Sequence, residues 1–161
     1  MKMRILFGLS VLSGFFVWSI VAYLYVWHGF GAVPLKAALM ALMVPHMFRY
    51  IGLGFLVPGV VSEKLPVGFA GPAAWGDLIV AFFAAAATLS CAASAPWALA
   101  AVWVFNIWGT VDLLNAMYQG PRKLDRLGPG TLGAAFYIPT LVGPGLLVSH
   151  VLIFHVLLHA G

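Results

Sequence analysis

Five long apolar runs, near residues 5–27, 35–57, 73–95, 97–118 and 131–158, take up most of the chain, and each holds at most two charged residues. A bilayer core is crossed by about 20 apolar residues at 1.5 Å rise, so each run is long enough to span as a helix. Hydrocarbon offers no partners to backbone amides, which leaves helices or closed barrels as the solutions, and runs of this length favour helices. The expectation is an all-α integral membrane protein, a single transmembrane domain over 1–161 built as a bundle of about five helices. Composition agrees: 63% of the 161 residues are hydrophobic and 7% charged, against roughly 25% charged in ordinary globular domains.

Lys2 and Arg4 ahead of the first run give it the look of a signal peptide. The stretch from Ile5 to Trp27 is nevertheless long enough to span and no A-x-A cleavage pattern follows it, so it reads as an uncleaved first helix. Placing the N-terminus in the cytoplasm puts Lys2, Arg4, Lys64, Arg122, Lys123 and Arg126 inside and Lys36 alone outside, as the positive-inside rule asks. The reading is a multi-pass protein of a bacterial-type inner membrane with an external C-terminus. Tyr23, Tyr25, Trp27 and Trp97 then form an outer aromatic belt, with Trp75 and Tyr118 at the inner boundary.

The formal charge of +4 comes from juxtamembrane residues that meet lipid, which argues against a nucleic-acid partner. The single Cys91 excludes an internal disulfide and an all-cysteine metal site. The chain has no phosphate-cradling glycine loop, no nucleophile elbow and no H-E-x-x-H metal motif, so nothing in the sequence asks for an enzyme.

The informative residues are the polar ones inside the runs. By helical rise, Arg49 lies about 12 Å, Asp112 about 9 Å and Asp77 about 6 Å from the inner ends of their helices. An isolated charge at that depth costs about 2.5–3.5 kcal/mol on insertion scales, so an Arg49–Asp112 pair is expected, with Asp77 as the alternative acid. At 100° per residue, His46, Arg49 and Tyr50 project from one face of helix 2, and Asp112, Asn115 and Gln119 from one face of helix 4. These faces define an inward-facing cluster of His46, Arg49, Tyr50, Asp77, Asp112 and Asn115. The bland alternative is an ion pair that fixes helix register, with Asp77 solvated in the first turn of helix 3. Asn106, Gly109 and Thr110 occupy another face, suited to interhelical hydrogen bonds and close packing.

Two histidines, His46 and His150, lie deep in their runs at similar depth, which permits axial ligation of one b-type haem. His28, His155 and His159 gather at the outer end, where an external metal is a weaker alternative. Pro45 interrupts helix 2 beside His46, and Pro139 with Pro144 should kink or break helix 5.

Three functions are compatible with this pattern. The favoured one is a small binding or accessory protein whose cluster receives a lipid, quinone or other amphiphile, alone, as a homo-oligomer or with a membrane-protein partner. The others are a haem-bearing electron-transfer subunit using His46 and His150, and a proton-coupled carrier or channel in which Asp112 titrates.

Overall fold

A computed structural model of the chain describes residues 2–29, 32–124 and 128–159. Arg126, grouped above with the inner charges, lies outside the described residues. The described chain is all-helical, and five of its helices are long and apolar enough to cross a membrane. α1 (Lys2–Val21) runs on through a π turn, Ala22–Val26, and a short 3-10 turn, Trp27–Gly29. α2 (Leu35–Met47) tightens into a 3-10 segment, Phe48–Leu56. α3 (Val67–Ala92) and α4 (Ala98–Leu124) follow, then a 3-10 segment, Pro129–Phe136, a π turn, Ile138–Val142, and α5 (Gly143–Leu158).

Proline sets several of these boundaries. Pro45 cannot donate to the carbonyl four residues back, and two residues beyond it the α-helix gives way to the 3-10 segment. α3 begins at Val67, directly after Pro66, rather than near 73 as the sequence pattern indicates. It accommodates Pro72 inside the helix: the missing amide would have bonded Gly68 O, and that carbonyl instead accepts Lys123 Nζ from the end of α4 at 2.6 Å. The fifth span is interrupted by the π turn that contains Pro139, and Pro144 stands in the first turn of α5. Just upstream, Gly133 adopts φ +52°, and an added Cβ would strike the Val60 carbonyl, so this crossing needs glycine.

α3 is the central element. It packs on α2, on the 3-10 segment after α2 and along α4, with Ala81, Ala84 and Ala87 buried in the close approach. α1 lies parallel to the C-terminal span, as contacts from Phe7 to Phe136, Trp18 to Gly145 and Trp27 to His155 show. It leans on α5 and the turns that precede it and makes no comparable contact with α4. Two apolar layers result. One holds Leu39, Met43, Val80, Val102, Phe105 and Ile153; the other holds Phe55, Phe69, Ala74 and Leu132. Between these layers α2 and its 3-10 extension bury the polar His46 and Arg49, and α3 contributes Asp77.

Candidate functional site

Arg49 is 1% exposed and extends from the 3-10 segment toward α3 and α4. Its Nε donates to Asp77 Oδ1 at 2.7 Å, its Nη2 lies 2.7 Å from the same oxygen and 2.6 Å from Asp112 Oδ2, and its Nη1 donates to Gly109 O at 3.2 Å. All three guanidinium nitrogens are therefore engaged, by two carboxylates and a backbone carbonyl. The fork geometry of arginine makes this possible, since an ammonium would serve as a point charge at one position.

Asp77 is thus a partner in its own right, so the group is a triad rather than a pair with an alternative acid. Nor is Asp77 in a solvated first turn, because α3 starts ten residues before it. Glycines make room for both acids. A Cβ on Gly52 would collide with the Asp77 carboxyl, and one on Gly76 with Asp112 Oδ1.

Three residues expected in the cluster are not brought to it: His46 packs instead against His150 and Ser149 and does not line the cavity described below, and Tyr50 and Asn115 turn outward. Tyr50 is 49% exposed on the outside of the bundle beside Phe48. A 3-10 helix turns about 120° per residue, so the 100° spacing that placed Tyr50 with Arg49 does not apply there. Asn115 is also exposed, and its Oδ1 accepts a hydrogen bond from Gln119 Nε2 at 2.8 Å, a bond within α4.

The triad contributes to the wall of a cavity of about 470 Å³. The rest of that wall is mostly apolar. Phe7, Gly8 and Val11 come from α1, facing Leu113, Ala116 and Met117 of α4 across the gap those helices leave. Val142 and Leu146 line it from the C-terminal span, and Arg4, Pro121 and Pro129 contribute near the helix ends. No pattern in the sequence announces this cavity, because it depends on how α1 is placed relative to α4.

His46 and His150 are fully buried, with ring centroids 4.2 Å apart. Their hydrogen bonds define their tautomers. Asn106 Nδ2 donates to His150 O at 3.2 Å, which turns Asn106 Oδ1 toward His150 Nδ1 at 2.6 Å and makes that nitrogen the protonated one. Ser149 Oγ donates to Leu42 O at 2.9 Å, so it accepts from His46 Nε2 at 3.2 Å. The remaining nitrogens, His46 Nδ1 and His150 Nε2, carry lone pairs and take no hydrogen bond among the described residues.

These residues do not fit a bis-imidazole haem. The macrocycle would have to separate imidazoles already in contact and displace Phe105, whose ring lies 5.1 and 5.4 Å from them. Asn106, which its place on helix 4 suited to interhelical bonding, performs that role here. At the other end of the bundle the His155 and His159 rings lie 4.2 Å apart, tilted by 37°, and His28 Nδ1 is bonded to Tyr23 O. No group of three metal-ligating side chains occurs among the described residues.

A family model described as a domain of unknown function (DUF8737) matches residues 6–158. No curated protein and no solved structure matches the chain.

Proposed function

The chain belongs to the DUF8737 family, and for this member we propose a multi-pass membrane protein that takes the tail of an amphiphile into the cavity between α1 and α4, with the head on the Arg49–Asp77–Asp112 triad. The observation that carries this reading is the cavity itself, an apolar space of tail-binding character that ends on a charged triad. Ligand sites are commonly apolar clefts with a few convergent polar groups, and this one has that composition. The gap between α1 and α4 gives a tail a lateral way in from lipid.

The five apolar helices support a membrane setting. The charges support an orientation with the N-terminus in the cytoplasm of a bacterial-type cell, since Arg4, Lys64, Arg122 and Lys123 flank one set of helix ends and Lys36 the other. The triad then lies toward the cytoplasmic leaflet.

A transmembrane proton or ion path is less well supported. Beyond the histidines the bundle core is largely filled by Leu39, Met43, Val80, Val102, Phe105 and Ile153, each 0% exposed. The haem reading is disfavoured by the contact between the two imidazoles.

Native mass spectrometry of the protein purified in mild detergent tests the proposal. A Cβ at Gly8 meets nothing within 4 Å, so Gly8→Leu adds bulk to the cavity without a clash. The wild type should carry a chain-bearing adduct that Gly8→Leu loses. Equal adducts on both proteins, or none on either, would overturn the reading.

A further inference from the structure

The triad is not electrically balanced. One guanidinium faces two carboxylates, so with ordinary ionisation the group holds one negative charge in excess in largely apolar surroundings. Uncompensated charge there is costly, and a bound cation relieves it.

The hydrogen-bonding capacity points the same way. The Arg49 nitrogens are committed, and the side chain is 1% exposed behind its acids. Asp77 and Asp112 keep 14% and 18% of their side-chain surface and both line the cavity. Asp77 Oδ2 and Asp112 Oδ1 accept no hydrogen bond among the described residues. What the site offers an incoming head is therefore acceptor oxygens and negative charge. Arg4, in the first turns of α1, also lines the cavity.

We infer that the cavity selects amphiphiles whose head is a cationic hydrogen-bond donor, a chain-bearing primary ammonium, over those with neutral or anionic heads. The inference rests on the amphiphile-binding reading above and adds the chemistry of the head. An ammonium places its N–H groups on Asp77 Oδ2 and Asp112 Oδ1 and brings the group to neutrality. A carboxylate or phosphate head would add to the one negative charge already in excess there.

The test compares octadecylamine, octadecanol and octadecanoate, which share a tail, by competition in native mass spectrometry on the whole protein in a nonionic detergent. Charge-assisted hydrogen bonds predict a preference for the amine of roughly tenfold or more. Asp112→Asn and Asp77→Asn, each removing one negative charge, should flatten it, while Gly8→Leu should weaken all three ligands alike. If the alcohol or the acid binds wild type as well as the amine, the inference fails and the amphiphile reading stands. If Gly8→Leu leaves all binding unchanged, both fail together.

Discussion

Arg49 Nη2 lies 2.6 Å from Asp112 Oδ2 and 2.7 Å from Asp77 Oδ1, so one side chain of the 3-10 segment ties α3 to α4 between the two apolar layers of the bundle. This cross-tie is both the structural anchor of the polar layer and the charged end of the cavity.

Removing the cation leaves two carboxylates stranded. Arg49→Ala should lower stability by about 3–5 kcal/mol, the usual penalty for breaking a buried pair. Arg49→Lys should recover only a fraction of this, because an ammonium cannot hold both acids and Gly109 O in one fork. Thermal unfolding in detergent measures both, and an unchanged Tm for Arg49→Ala would exclude the cross-tie.

Gly76 is a close-approach position. Its replacement by alanine pushes a methyl group into Asp112 Oδ1 and should cost about 1–3 kcal/mol, the range for overpacking. Gly8→Leu, which meets open space, should leave Tm unchanged or raise it through better helix propensity. The contrast between two glycines in apolar helices, read in one melting experiment, checks the packing around the triad.

Asn106 holds His150 by both ends of its amide. Asn106→Leu strands a buried imidazole N–H and removes the second donor to the His150 carbonyl, for an expected loss of about 1–3 kcal/mol. Thr110→Val should cost less, since the Thr110 hydroxyl bonds only Asn106 O within its own helix. Equal effects from the two substitutions would contradict the tautomer assigned to His150.

Lys123 and Pro72 are coupled through Gly68 O. Lys123→Met should destabilise by about 1 kcal/mol in the wild-type background and by much less beside Pro72→Ala, which restores the amide that bonds Gly68 O. A double-mutant cycle with no interaction energy would show that the lysine is not replacing the missing helix bond.

The five helices and the Arg49–Asp112 contact were legible in the sequence because hydrocarbon penalises both exposed amides and lone charges, and few arrangements remove both penalties. Asp77 is legible as a member of the cluster and as an alternative acid, but not as a simultaneous partner, because Pro72 makes the run appear to start near 73 while the helix accommodates that proline and begins at Val67. α-Helical spacing points Tyr50 inward, and the 3-10 geometry after Pro45 turns it outward. The sequence pairs the two histidines by depth alone, which carries no information on whether a cofactor separates them. The cavity was invisible because it arises from the lean of α1 onto α5, a tertiary choice that no local pattern encodes.

The central claim is that an amphiphile's tail enters the bundle, and photolabelling in native membranes addresses it most directly. An alkyl amine bearing a diazirine along its chain would be activated in membranes containing the protein, and the labelled residues mapped by mass spectrometry. Labels are expected on Leu113, Met117 and Leu146, the last of which is 5% exposed and lines the cavity. Labels confined to outward residues such as Leu9 and Phe16, with none on Leu146, would contradict it.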